Sequence, residues 1–116
     1  MSIDKFFHKR YNRHSYNCAH FVCDVWRHVT GSSIDHTLEG FLNPPSSRRA
    51  DPGLRRAFVR LGQPVSPCIV LMQRAKSAPH VGVYLNGRVL HIHEHGVEFQ
   101  PVDVAARGFD RVRYYK

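Results

Sequence analysis

HVGVYLNGRVLHIH, residues 80–93, is two short apolar runs joined by Asn86-Gly87. Asn-Gly between such runs specifies a two-residue type I′ turn, because both central residues take positive φ, which Asn and Gly tolerate best. That turn fixes a register. Leu85 falls opposite Arg88, Tyr84 opposite Val89, Val83 opposite Leu90, Gly82 opposite His91, and His80 opposite His93. Side chains alternate along a strand. Val81, Val83, Leu85, Leu90 and Ile92 therefore share one wholly apolar face, which must be core. His80, Gly82, Tyr84, Val89, His91 and His93 share the other. His91 lies diagonally from His80, and the glycine opposite it leaves room for two rings to approach.

Outward from the hairpin, residues 68–73 (CIVLMQ) are a continuous apolar run, as in a central strand. Residues 97–102 and 109–115 read as further strands. Upstream, residues 18–29 read as a helix. Phe21, Val25 and Val29 recur at four-residue spacing, with Val22 and Trp26 beside them. Asn17 is its N-cap and Gly31 its stop. Between helix and strands, residues 32–53 form a connection broken by Pro44-Pro45-Ser46-Ser47, with a helical turn at Leu38 to Leu42. Asp51-Pro52 opens a second helix that carries Leu54, Phe58 and Leu61 on its apolar side and ends at Gly62. Helices followed by a mostly antiparallel sheet define an α+β domain.

The chain has 116 residues, which sets the expectation of one domain over 1–116. Apolar residues at 42% and charged residues at 22% exclude a disordered composition. The longest apolar run, Cys68 to Met72, is far too short to span a membrane. The start, MSIDKFFHKR, holds no secretory signal, so synthesis in the cytoplasm is expected. Three cysteines with no C-x-x-C pair argue against a disulfide framework and against thiolate zinc. Cys23, Cys68 and Trp26 read as core packing.

Cys18 is different, because it opens the helix. Free N–H groups and the helix dipole favour a negative charge there, which predicts a thiol of lowered pKa and raised nucleophilicity. The hairpin delivers an imidazole to it. His80 fits the role of base and His91 that of the group that orients it, with His93 the other candidate on the same face. The Cys18 backbone N–H can stabilise an oxyanion, with a second donor from Tyr16 or Tyr11. Tyr16, Asn17, Tyr84 and His93 are the candidate substrate contacts. This chemistry needs no cofactor and no metal.

Tyr16-Asn17-Cys18 opening a helix, then His80-Val81-Gly82-Val83-Tyr84 on a strand and a His on the next strand, resembles the NlpC-type papain-like cysteine peptidases. The resemblance implies a papain-like fold and a Cys-His-polar triad in that chain order, which maps onto Cys18, His80 and His91. It implies hydrolysis of amide bonds in peptidoglycan stem peptides. The small size and the ending GFDRVRYYK are most similar to tail-associated members encoded by bacteriophages, which implies phage tail proteins as partners and action at the bacterial envelope. In the usual family pattern Asp precedes the Cys and Ser-Gly follows it, and these residues help bind a free amine of the substrate. Here Asn17 precedes and Ala19-His20 follow. Asn-Cys-x-His-Phe also resembles the lecithin:retinol acyltransferase-like enzymes, in which the His comes before the Cys. The order here favours the peptidase type.

Two other readings compete. His91, His93 and His95 alternate along one strand and, with His80, offer ligands for a metal-dependent hydrolase. The net charge of +8, with thirteen arginines, calls for an anionic partner or a solubilising surface. Arg48, Arg49, Arg55, Arg56 and Arg60 can form a basic patch, as in a non-catalytic binding or tail structural module. No helix-turn-helix, RNP-like or zinc-finger pattern accompanies them, so nucleic acid is not the expected partner.

Overall fold

Strand Cys68–Gln73 is the pivot of the fold. In the computed structural model, which describes residues 2–38, 51–75 and 79–116, its first five residues are buried. Ile69 and Leu71 join one apolar cluster while Val70 and Met72 join another on the opposite face. A strand covered on both sides must be apolar throughout, which is why CIVLMQ does not alternate.

The strands are β1 (Arg60–Leu61), β2 (Cys68–Gln73), β3 (His80–Leu85), β4 (Arg88–His93), β5 (Gly96–Pro101) and β6 (Arg111–Tyr115). The helices are α1 (Cys18–Thr30), α2 (Asp51–Ala57) and α3 (Val102–Ala105), and 3-10 turns cover Asp4–His8 and Asp35–Leu38. One six-stranded sheet runs β1-β6-β2-β3-β4-β5, each neighbouring pair antiparallel. The class is α+β, as the order of elements predicts. Among the described residues no helix is long and apolar enough to cross a membrane.

Helix α1 lies on one face of the sheet. Phe21, Val22 and Val25 are fully buried there with Val81, Val83, Leu90 and Ile92 from the hairpin. Each such side chain contributes about 1.5–3 kcal/mol by leaving water. The helix start is tightly specified. Asn17 accepts from the backbone N–H of Ala19 at 2.9 Å, and His20 Nδ1 accepts in return from the Asn17 N–H at 3.0 Å. This is a reciprocal capping box with histidine in the place usually held by Glu or Gln. Gly31 ends the helix in the left-handed region at φ 79°, where only glycine is unstrained.

The hairpin turn is as expected: Asn86 and Gly87 both take positive φ, and Leu85–Arg88, Tyr84–Val89 and Val83–Leu90 pair. The ladder then stops. Pairing of Gly82 with His91 and of His80 with His93 does not follow, although β4 continues to pair with β5 as far as His93–Gly96. The strands stay close there all the same: a Cβ at Gly82 would lie 3.1 Å from His91 Cβ.

Other boundaries differ from the sequence reading. The second helix ends at Ala57 rather than reaching Gly62. The C-terminal strand captures the residues beyond it: Val59 and Lys116 exchange backbone hydrogen bonds at 3.0 Å, and Arg60–Leu61 pairs with Tyr115–Tyr114. A 3-10 turn covers Asp35–Leu38; the turn expected at Leu38 to Leu42 falls on positions 39–42, which lie outside the described residues, as do Arg48 and Arg49. Strand β5 starts one residue early and gives way to α3, whose Ala105 packs with Val70, Met72 and Val89 under the second face.

Candidate active site

The site forms at the histidine end of β3 and β4, beyond the Val83–Leu90 pair. A turn built on Asn12, whose Oδ1 accepts from the N–H groups of His14 and Ser15 at 3.0 Å, leads the chain back to Tyr16 and into α1. Cys18, half-buried on the first turn of α1, lies against the backbone amide of Val81, the peptide link to His80. Helix and strand thus bring the thiol beside the first residue of β3.

Two of the three imidazoles are bonded to each other. His80 Nε2 and His91 Nδ1 are 2.9 Å apart, the rings nearly perpendicular at 76°. His91, only 5% exposed, turns its Nε2 to Gln100 Oε1 at 3.0 Å. His80 also stacks on Phe109 at 6.0 Å with a 6° interplanar angle, so its ring is held on one side by an aromatic face. His93, its ring 5.7 Å from that of His91, bonds elsewhere: its Nε2 donates to Glu98 Oε1 at 2.8 Å and its Nδ1 accepts the His95 N–H at 3.2 Å. Of the two candidates for the third position, His91 is the one bonded to His80.

Charge at the site departs from the dipole argument. Burial pushes the Cys18 thiol up from its ordinary 9.0, and the N–H groups of Val81, Ala19 and Cys18 itself, which favour the anion, do not outweigh it. His80 is held down to about 3, first by burial and then by the charges of His91 and His93. His91 is lowered for the same leading reason. The thiol and the His80–His91 pair all rest neutral. The predicted low-pKa thiolate is corrected because desolvation of the sulfur exceeds the pull of the helix terminus. Among the described residues no hydrogen bond joins the Cys18 thiol to His80. Catalytic pairs are often loose before substrate arrives.

The remaining candidates occupy distinct places. The Tyr16 hydroxyl donates to Asp24 Oδ2 at 2.6 Å, which engages it away from an oxyanion. Tyr11 is raised first by burial and then by the nearby Cys18, so its phenol is the tyrosine within electrostatic reach of the sulfur. Asn17 is buried and holds the helix cap. Tyr84 is partly buried against the second apolar cluster. Cys23 and Cys68 are buried, and burial raises both thiols, that of Cys23 to about 12. The metal reading meets a different geometry: the imidazoles bond to one another, to Gln100 and to Glu98. Among the described residues no three His, Cys, Asp or Glu side chains are grouped as an ion would require.

Gln100 and Glu98 were not singled out from the sequence. Their signal is the tight turn that pairs His93 with Gly96, which sets Glu98 opposite His91 and Gln100 opposite Val89 on the imidazole face. Comparison with protein-family models and with curated proteins returns no match.

Proposed function

We propose that the chain is a papain-like cysteine peptidase or amidase of the NlpC type, hydrolysing amide bonds of peptidoglycan stem peptides as a bacteriophage tail-associated protein. The observation that carries the chemistry is the Cys18 thiol on a helix first turn beside β3, with His80 bonded to His91 at 2.9 Å. The resemblance of the Tyr16-Asn17-Cys18 and His80-Val81-Gly82-Val83-Tyr84 stretches supports the substrate class and the phage setting.

His80 takes the Cys18 proton through Nδ1, the ring nitrogen not bonded to His91, as sulfur bonds to the amide carbon. The carbonyl oxygen gains charge. The Cys18 N–H is available to it, since the Asn17 cap accepts from Ala19 and His20, and Tyr11 is the candidate second donor. The C–N bond then breaks, His80 returns the proton to the leaving amine, and an acyl-thioester remains. Water attacks that ester with His80 as base, and the acid and the free thiol are released. Both partners start neutral, so the proton moves as the S–C bond forms rather than beforehand.

The test is hydrolysis of purified peptidoglycan. Cys18→Ala is expected to reduce release of free amino groups to background while staying folded by circular dichroism. His80→Gln should lose about 100-fold or more, the share of a general base. Cys23→Ala should retain most activity. Full activity in Cys18→Ala, abolished by a chelator, would overturn the thiol mechanism.

A further inference from the structure

The histidine chain ends on a residue that is not a histidine. His91 Nε2 faces Gln100 Oε1 at 3.0 Å, and His91 Nδ1 faces His80 Nε2 at 2.9 Å. A neutral imidazole has one N–H and one bare nitrogen. A carboxamide oxygen only accepts, so the hydrogen of His91 sits on Nε2. His91 Nδ1 is then the acceptor, and the His80 nitrogen opposite it must donate. His80 therefore carries its hydrogen on Nε2 and leaves Nδ1 bare. Were the Gln100 amide turned to present its NH2, every role would reverse, and His80 Nδ1 would already hold a hydrogen.

The sheet keeps the carboxylate out of this chain. Glu98 is directly opposite His91 in register, yet its Oε1 takes the His93 N–H at 2.8 Å. His91 reaches diagonally past it to the amide. Each imidazole in the row finds its partner on the diagonal, a distance that long side chains span across a twisted antiparallel pair.

We propose that Gln100 is a positioning residue that sets the tautomers of His91 and His80, and so makes His80 Nδ1 the acceptor for the Cys18 proton. The catalytic consequence rests on the cysteine peptidase reading; the tautomer assignment does not.

The test uses the full chain with 15N-labelled histidine, read by long-range 1H–15N spectra at pH 7.5. In the wild type both His80 and His91 are expected in the Nε2–H form. Gln100→Leu removes the acceptor, and the Nε2–H preference of both rings should fall roughly fivefold, the worth of one neutral hydrogen bond. Gln100→Glu keeps an acceptor and should restore it. Alkylation of Cys18 by iodoacetamide should slow in the Leu variant and recover in the Glu variant, which a merely structural role would not produce. A His80 found as Nδ1–H in the wild type, or tautomers unchanged by Gln100→Leu, overturns the inference. If the tautomers behave as expected while the wild type hydrolyses no peptidoglycan, the functional reading fails alone. If hydrolysis needs Cys18 and His80 but the tautomers ignore position 100, the inference fails alone.

Discussion

A methyl group at position 82 would meet atoms on three sides. An added Cβ would sit 2.7 Å from Val89 Cγ1 and 3.1 Å from both His91 Cβ and the Leu90 carbonyl oxygen. None of these yields easily. Val89 is β-branched and fully buried, and the Leu90 oxygen is backbone. Gly82 is thus the residue that lets β3 approach His91 closely enough for His80 to bond it. Gly82→Ala is expected to destabilise by about 1–3 kcal/mol, the range for overpacking, measured as a shift in urea midpoint. Its loss of hydrolysis should exceed that of Val25→Ala, which opens a cavity under α1 away from the histidines. Equal losses at equal stability would show that the spacing of position 82 to His91 has no part in the site. The same scale explains the thiols. Burial raises all three, so Cys18 differs from Cys23 and Cys68 by exposure and neighbours rather than by resting charge.

At the scale of elements, the start of α1 does two jobs. Asn17 caps the helix, and the residue after it is the proposed nucleophile, so fraying of the first turn moves the sulfur. Asn17→Ala is expected to lower stability by about 1 kcal/mol and to reduce hydrolysis further than that loss alone would. Asn17→Asp, which keeps a capping oxygen, should restore both. Thermal melts with parallel activity measurements decide it, and an Ala variant as active as the Asp variant would separate cap from catalysis. Elements of this kind were legible because their signals are local. Helix α1 declared itself by period and two caps, the hairpin by its turn and alternation. What stayed hidden depends on distant partners. Leu54, Phe58 and Leu61 continue a helical spacing, yet the pairing of Arg60–Leu61 with Tyr115–Tyr114 ends the helix. Short α3 has too few residues to show a period, and with it the second apolar cluster went unread. The end of regular pairing between β3 and β4 at Val83–Leu90 is equally invisible in a turn that predicts continued pairing. The dipole at Cys18 was readable; the desolvation that outweighs it belongs to the packed fold.

Among the described residues several histidines and cysteines are held neutral by burial, and this gives stability a pH window. His80 is held near 3 against an ordinary 6.5, and His91 and His20 are lowered too, each chiefly by burial. A folded-state pKa below the unfolded one means that the unfolded chain binds the proton first. This contribution is fully present above about 6.5 and is lost as pH falls from there toward about 3. At the other end Cys18, Cys23 and Cys68 are raised above 9.0, so stability declines as pH climbs past that value and the unfolded thiols ionise first. Self-repulsion also acts in acid, because nine histidines add to a net charge of +8. Salt separates the two causes: repulsion between exposed charges is screened, whereas the penalty for protonating a buried ring is much less so. Urea denaturation of the wild type should therefore show stability falling below pH 6.5 in both low and high salt. In His80→Gln the slope should be shallower by up to one proton, about 1.4 kcal/mol per pH unit, at either salt concentration. A variant that tracks the wild type across pH 6.5 to 4.5, or a slope that vanishes in high salt, would mean that surface repulsion rather than the buried imidazole governs acid stability.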